Sequence, residues 1–225
     1  MKETAFDFQV WAFWLINLFS GGGGGVITAY SSTLIKSFGY TSEHAALLNM
    51  GAGPMAMAAT IVCAYGVRYF GNRWAWIIAA ALPTFLGSAL MAWLPHANRS
   101  GLLAGIYLVN MLLGESPVIY AWAAANIAGH TKRAVAMTGL NAAFAIGNII
   151  GPQTFRVKDA PEYQPAKITM VCFQCGTVAT CVALFIHYRR LNSKRDRKTS
   201  VLDISERKAY AGLTDKENEF FRYLY

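Results

Sequence analysis

The sequence predicts an all-α membrane protein with six transmembrane helices, and three observations support that fold class. Only 14% of the residues are charged and 55% are hydrophobic, whereas a soluble domain typically carries about 25% charged residues. Six apolar stretches are each long enough to cross a bilayer core, which takes roughly 20 helical residues. The positive charge is concentrated at one end, since 10 of the 20 Lys and Arg residues follow residue 188.

The predicted spans follow one another with short polar connections. They cover residues 8–34, 45–67, 74–94, 102–128, 134–155 and 168–188. Trp and Tyr residues recur near the span ends, as is typical of side chains at membrane interfaces. We therefore divide the chain into a six-helix bundle in the lipid bilayer, residues 1–188, and a basic tail, residues 189–225.

Composition and motifs argue against several other classes. The net charge of +8 could indicate nucleic-acid binding, but the basic residues flank apolar spans, so no nucleic-acid partner is expected. Cys172 and Cys175 form a C-x-x-C pair without two further ligands at zinc spacing, which predicts small core residues and no metal. The sequence contains no catalytic set of nucleophile, base and acid and no phosphate-binding loop, so we expect no cofactor and no enzymatic activity. A membrane enzyme with several spans is the second class of function after a non-enzymatic membrane protein.

The distribution of Lys and Arg predicts the orientation. With the tail in the cytoplasm, 15 of these residues lie on the cytoplasmic side and 5 outside, as the positive-inside rule requires. Both termini are then cytoplasmic, and the Asn98 sequon faces outwards. Within the tail, Thr214 and Glu217 have the spacing of a capping box, which predicts a short helix over residues 217–224.

Five consecutive glycines lie in the middle of the first predicted span: Gly21, Gly22, Gly23, Gly24 and Gly25. Two interpretations remain open. The run could be a pliable, gating part of a helix beside a transport site, or it could let neighbouring helices approach closely. Asn17 and Thr28 share a helical face with two of these glycines, which favours a polar surface that lines a cavity.

Glu115 is the only acidic residue well inside a predicted span, where a carboxylate costs several kcal/mol unless it is protonated, paired or hydrated. Trp122 and Asn126 share its helical face. One hypothesis is a wet, substrate-facing wall with Glu115 as a proton carrier. The other is a protonated Glu115 that is hydrogen-bonded to a neighbouring helix. Pro117 removes a helix hydrogen bond and predicts a bend or hinge.

The fifth predicted span carries two stripes. Small residues recur every four positions, which favours tight helix packing: Gly139, Ala143, Gly147 and Gly151. Asn141 and Asn148 lie on a different face, and an amide in lipid is costly without a partner or a cavity. Each Asn in these spans therefore either lines a cavity or bonds a neighbouring helix. The third and sixth spans lack charged residues and are interpreted as outer scaffold helices.

Residues 126–155, 159–167 and 213–225 together resemble the major facilitator superfamily, and more narrowly its fungal allantoate permease family of anion:cation symporters. The strings NIAGHTKR and IIGPQTF are the most specific. The resemblance covers most of the chain and corresponds to the second half of such a transporter, its helices seven to twelve. It implies proton-coupled secondary transport of a small organic anion, such as an allantoate-, nicotinate- or vitamin-like carboxylate, at the plasma membrane.

The resemblance also implies roles for particular segments. The first, fourth and fifth spans line the central cavity in this family, while the third and sixth face lipid, so the glycine run belongs to a cavity-lining helix. In the cytoplasmic loop RYFGNR, Gly71 and Arg73 match the family pattern. Arg68 stands where an acidic residue is expected, which weakens the expected locking salt bridge.

Transporters of this kind hold the substrate between two six-helix halves, and this sequence supplies one half. We therefore expect that the chain pairs with a missing N-terminal half or a second copy, or that it is an inactive product of a truncated gene. Alone, it is expected not to transport. A non-transporting membrane partner or regulatory remnant is the alternative function.

Overall fold

The structure is a computed structural model that describes residues 6–95, 98–156, 159–160, 163–199, 214–218 and 221–225. All regular secondary structure in these ranges is helical. The α-helices are α1 (Phe8–Ser37), α2 (Ser42–Met50), α3 (Ala52–Phe70), α4 (Arg73–Trp93), α5 (Arg99–Val109), α6 (Glu115–Asn126), α7 (His130–Gln153) and α8 (Gln164–Thr199). A 3₁₀ turn, Asn110–Gly114, joins α5 to α6.

Within the described residues, six helical units are long and apolar enough to cross a membrane, which confirms the predicted fold class. The first span is α1, the second is α2 with α3, the third is α4, the fourth runs from α5 to α6, the fifth is α7 and the sixth is α8. The helices extend beyond the apolar stretches, so α8 continues past residue 188 to Thr199 and the predicted tail begins as helix.

The second span is interrupted nearer its start, and the fourth is interrupted near its middle. In the second span, α2 ends and α3 begins at Gly51, and in the fourth the 3₁₀ turn Asn110–Gly114 breaks the α-helix. Pro54 and Pro117 follow these breaks. Neither proline can donate a backbone hydrogen bond to the carbonyl four residues earlier, so the irregular turn before Pro117 lies where the sequence predicts a bend.

The spans differ in how deeply they are buried. The most apolar window is 67% buried in the first span and 56% in the fourth, but only 22% in the second and 28% in the fifth. The third and sixth spans, at 44% and 39%, are intermediate. The outermost helices of this chain are therefore the second and fifth spans, because fewer of its other helices cover them.

The interior contains two apolar clusters, one towards each end of the bundle. We call the end at which α1 begins and α8 ends the terminal side, and the other end the opposite side. The terminal-side cluster includes Phe13, Ile77, Trp122, Leu184 and Tyr188. The opposite-side cluster includes Val26, Leu34, Met91, Leu102 and Met170.

The last described residues fold back onto the terminal side of the bundle. Thr214 and Glu217 form the reciprocal bonds of a capping box: the Glu217 carboxylate accepts from the Thr214 N–H at 3.0 Å, and the Thr214 hydroxyl accepts from the Glu217 N–H at 3.3 Å. The short helix predicted to follow is absent from residues 221–225. The backbone of these residues bonds side chains of the bundle instead.

Candidate functional site

A layer of polar residues separates the two apolar clusters. In the first, third, fourth and sixth spans, polar or glycine positions lie between residues of one cluster and residues of the other. We call these buried polar residues the middle layer: Ser20, Thr84, Ser88, Glu115, Gln174 and Thr177. Thr84 and Ser88 donate hydrogen bonds to carbonyls of their own helix. The polar side-chain atoms of the other four residues make no hydrogen bond of normal geometry among the described residues.

Glu115 is the ionisable member of the middle layer. It is the first residue of α6 and directly follows the 3₁₀ turn. It is 0% exposed, and neither carboxyl oxygen has a hydrogen-bond partner among the described residues. The Ser20 hydroxyl is its polar neighbour on the first span; it is close enough to interact with the carboxyl, but no hydrogen bond of normal geometry joins the two groups. The thiols of Cys63 and Cys181 lie within electrostatic range. A buried carboxyl in such a place is stable when it holds a proton or meets water.

Gln174 and Thr177 extend the middle layer to the sixth span. Both are buried, and both polar atoms of the Gln174 amide and the Thr177 hydroxyl lack partners in the described part of the chain. The Gln174 amide nitrogen would lie 3.8 Å from a Cβ atom placed on Gly23. Sequence reasoning missed these residues because it searched the sixth span for charges. Two polar residues one helical turn apart in an apolar span were the available signal.

Asn17, Tyr120 and Asn141 form a chain of hydrogen bonds from the interior to the exposed face of the fifth span. The Asn17 amide nitrogen donates to the Leu140 carbonyl at 2.8 Å and to the Tyr120 hydroxyl at 3.3 Å. The Tyr120 hydroxyl donates to the Asn141 side-chain oxygen at 2.6 Å. Asn17 is fully buried and Asn141 is exposed. The sequence analysis named both Asn residues but not the Tyr that connects them.

An open cavity of about 220 Å³ lies on the opposite side of the middle layer, between the first, second and fourth spans. Its polar lining residues are Thr28, Ser31, Asn49 and Asn110. The Ser31 hydroxyl donates to the Asn49 side-chain oxygen, and the Asn110 amide donates to the Ile106 carbonyl. No Lys, Arg, Asp or Glu is among its described lining residues. Neutral hydroxyl and amide groups therefore offer hydrogen bonds in this cavity.

Asn148, Trp122 and Asn126 lie elsewhere. Asn148 is half-buried and donates to the Phe144 carbonyl of its own helix. Trp122 and Asn126 share a face with Glu115, as expected, but both are 0% exposed and bond the backbone of Leu224. The structure places them against the tail and not on a cavity wall, because a segment about a hundred residues later covers that face.

The glycine run has two surfaces. Gly21 and Gly25 contact the fifth span so closely that an added Cβ atom would lie 2.6 Å from the Phe144 carbonyl oxygen and 2.8 Å from the Asn148 backbone. Gly22 meets the small stripe of the fifth span, where Gly147 and Gly151 lie against the backbone of the first span.

The other surface of the run is less crowded. A Cβ on Gly23 or Gly24 would come no closer than 3.5 Å to its nearest neighbour, a Leu112 methyl group. Of the two remaining stripe positions, Gly139 lies against the Trp14 ring and Ala143 is buried. The run therefore packs against the fifth span on one side and faces the middle layer and the cavity on the other.

The loop between the second and third spans lies near no carboxylate partner among the described residues. Gly71 has a φ of +69°, which favours glycine, and ends α3. The Arg68 guanidinium lies over the Tyr69 ring. Neither Arg68 nor Arg73 pairs with a carboxylate in the part of the chain that the structure describes. The backbone N–H of Arg73 donates to the Tyr225 carbonyl at 2.6 Å.

Comparison with known proteins finds fungal transporters along almost the whole chain, although no family model matches it. An uncharacterized transporter of Schizosaccharomyces pombe is 32% identical over 99% of this chain and 44% of its own length. A thiamine pathway transporter of Saccharomyces cerevisiae is 30% identical over 97% of this chain and 42% of its own length. An allantoate permease of the same yeast is 28% identical over 98% of this chain and 43% of its own length. None of the three is named as an enzyme. The chain spans less than half the length of these relatives.

Proposed function

The chain belongs to the fungal allantoate permease family of the major facilitator superfamily, and on that premise we propose that it forms one six-helix half of a secondary transporter for a small organic anion. Its length and its six spans match the second half of such a protein. The opposing wall of the substrate path then comes from a second six-helix half or from a second copy of this chain. The low burial of the second and fifth spans supports this arrangement.

The cavity between the first, second and fourth spans is the part of the substrate site that this chain contributes. Thr28, Ser31, Asn49 and Asn110 supply neutral donors and acceptors, which suit the amide or hydroxyl groups of a small polar molecule. A carboxylate substrate also needs a positive partner, and none lines the described cavity. That charge is supplied by the opposing bundle or by a proton carried with the substrate.

Glu115 is the proton carrier in this proposal. The observation that carries it is a fully buried carboxyl in the middle layer, whose two oxygens make no hydrogen bond of normal geometry among the described residues. Such a group alternates between a neutral state inside the closed bundle and a charged state when water reaches it. Ser20, Gln174 and Thr177 would then hydrogen-bond the carboxyl or the water that it meets.

We infer the orientation of the chain from the distribution of its basic residues and the membrane from the family that it belongs to. The dense basic sequence at the end of the sixth span supports a cytoplasmic location for both termini, by the positive-inside rule. The terminal side of the bundle is then cytoplasmic, and the cavity lies towards the outside of the middle layer. Uptake across the plasma membrane is the matching role for a permease of this family.

Uptake measurements test the transport proposal. Residues 1–225 are expressed in yeast that lacks related permeases, alone and together with the first six spans of the S. pombe relative, and cells receive labelled carboxylates. We expect saturable uptake only with both halves. Uptake by the chain alone would show that a second copy supplies the other wall. No uptake in either case, with both halves in the membrane, would contradict the proposal and favour a non-transporting partner.

Glu115→Gln tests the proton carrier, because Gln keeps the size of Glu but cannot release a proton. In the pair that transports, we expect normal membrane insertion and uptake that is lost or no longer depends on pH. Glu43→Gln is the matched control, since Glu43 is exposed at the start of α2 and should leave the pH profile unchanged. An unchanged rate and pH profile for Glu115→Gln would assign that residue a structural role.

A further inference from the structure

We propose that the C-terminal segment, residues 214–218 and 221–225, is a clamp that docks on the terminal side of the bundle and holds the ends of its spans together. The proposal concerns the shape of this six-helix unit and does not depend on what the unit transports. It is carried by backbone hydrogen bonds to two asparagines, by a buried ion cluster, and by the number of spans that the segment reaches.

Two asparagines hold the backbone of the segment from different spans. The Asn192 side chain, on the sixth span, donates to the Tyr223 carbonyl at 2.9 Å and accepts from the Tyr223 N–H at 3.0 Å. The Asn126 side chain, at the end of the fourth span, does the same with Leu224, at 2.9 and 2.7 Å. The two amides pair with successive residues as neighbouring strands would, and each bridge satisfies both backbone polar groups of its residue.

A buried ion cluster joins the segment to the first and fifth spans. The Lys132 ammonium, in the first turn of α7, lies 2.7 Å from an Asp215 oxygen and 2.6 Å from an Asp7 oxygen. All three side chains are at most 4% exposed. The Gln9 amide donates to both carboxylates, and the Tyr223 hydroxyl donates to Asp215 at 2.9 Å. Every charge in the cluster therefore has an opposite charge and further hydrogen bonds.

Asp7 keeps its charge at physiological pH. Burial alone would raise the pKa of Asp7, but the ion pair with Lys132, the hydrogen bond from Gln9 and the nearby charge of Lys216 together lower it below its usual value. Burial and the neighbouring Asp215 carboxylate raise the pKa of Tyr223 well above its usual range, so the phenol keeps the proton that it donates to Asp215.

The remaining contacts bring the segment to the third span and fix its chain end. The Tyr225 carbonyl accepts from the backbone N–H of Arg73 at 2.6 Å, at the end of the RYFGNR loop. The Arg195 guanidinium donates to the Asp215 carbonyl at 2.7 Å, and the Tyr223 ring stacks on Tyr188 of the sixth span at 4.6 Å. The segment thus bonds the first, third, fourth, fifth and sixth spans.

A bundle that rocks as a unit needs its helix ends to keep their spacing. While the segment is docked, the end of the fourth span and the start of the fifth cannot part from the first and sixth spans without breaking the two asparagine bridges and the ion cluster. The clamp thereby takes the place of a salt bridge in the RYFGNR loop. Its release loosens the terminal side and leaves the opposite side, which it does not touch, unchanged.

Hydrogen–deuterium exchange on the full-length chain in lipid nanodiscs tests the clamp. The variant Leu224→Pro removes the N–H that donates to Asn126, and the Leu224 side chain is 47% exposed, so the bundle interior is untouched. We expect exchange of the Tyr223 amide and of the amides at the start of α7 to become at least about tenfold faster, which corresponds to the loss of one or two hydrogen bonds. Amides of α5 on the opposite side should not change.

The double variant Asn126→Ala, Asn192→Ala should give the same pattern from the bundle side. Asn98→Ala is the matched control, because Asn98 caps α5 on the opposite side and makes no contact with the segment; it should leave exchange on the terminal side as in the wild type. If Leu224→Pro releases the segment and the start of α7 keeps its protection, the segment is a passive appendage and the proposal is wrong. Unchanged protection of Tyr223 in both variants would also refute it.

Discussion

Two buried polar clusters of this protein differ in one respect. In the ion cluster under the C-terminal segment, Lys132 pairs with both Asp7 and Asp215, and these carboxylates accept hydrogen bonds from Gln9 and Tyr223. In the middle layer, the polar atoms of Ser20, Glu115, Gln174 and Thr177 have no hydrogen-bond partner among the described residues. Both clusters are shielded from solvent, so burial does not distinguish them.

The difference separates a structural from a functional use of buried polarity. Buried polar groups in folded proteins are nearly always hydrogen-bonded, and an exception needs an explanation. The ion cluster needs none, since its charges stabilise the docking of a distant segment. The middle layer does, and the proposed exchange of a proton at Glu115 provides one, because a group that must gain and lose a proton cannot be held permanently by a salt bridge.

Lys132→Met should have the largest effect on stability. It removes the cation that pairs two buried carboxylates, and breaking a buried pair from one side typically costs about 3–5 kcal/mol. We expect a large fall in the thermal unfolding midpoint of the chain in detergent, followed by circular dichroism.

Two control variants sharpen this result. Lys216→Met changes a side chain that is 44% exposed and lies 3.3 Å from Asp7, and should cost less than about 1 kcal/mol. Glu115→Gln removes no partnered group, so it should leave the midpoint unchanged or raise it. A loss for Glu115→Gln as large as that for Lys132→Met would erase the distinction between the two clusters.

Gly25→Ala should have an intermediate effect, and Gly23→Ala should have almost none. A Cβ on Gly25 would lie 2.8 Å from the backbone of the fifth span, whereas a Cβ on Gly23, which faces the middle layer, would find ordinary contact at 3.5 Å. Overpacking of this kind costs about 1–3 kcal/mol. Unfolding midpoints of the two variants provide the measurement. Equal losses would mean that the middle layer is packed as tightly as the contact between the first and fifth spans.

Acid should have the smallest effect on stability, through the ion cluster. The pKa of Asp7 is lower in the folded chain than its ordinary value of 3.8, so its contribution to stability is complete above that value and disappears as the pH falls through the folded pKa. The unfolding midpoint should therefore not fall on account of Asp7 between pH 8 and 5. It should fall below about pH 4, and less steeply in Asp7→Asn, which has no carboxylate to protonate. A decline that begins near pH 6 and is absent from Asp7→Asn would contradict this assignment.

The sequence predicts the spans well and the partners of their side chains poorly. Hydrophobic length determines how many helices cross a membrane, and helical period determines which residues share a face, so six spans and the shared face of Glu115, Trp122 and Asn126 could be predicted. Period does not say what lies opposite that face. Trp122 and Asn126 meet Leu224, which is 102 and 98 residues away, and no local pattern encodes such a contact.

The same limit applies to the glycines and to the sixth span. Small residues every four positions predict close packing of the fifth span, but its partner, the glycine run of the first span, is identified only by the fold. Gln174 and Thr177 were overlooked because neutral polar residues are compatible with an outer helix. Their position becomes informative only when the first and third spans are seen to pack against the sixth.

The glycine contact between the first and fifth spans also constrains how the chain is made. Asn17 and the Leu140 carbonyl that it bonds are 123 residues apart, so during synthesis the first span waits until the fifth has left the ribosome. Until then the backbone of the glycine run and the Asn17 side-chain amide face lipid, the translocon or a chaperone. Contacts between residues so far apart in sequence form slowly. Of these six spans, the interior helix is therefore synthesised before the other five but is among the last to be enclosed, so assembly of the bundle depends on what covers that face in the interval.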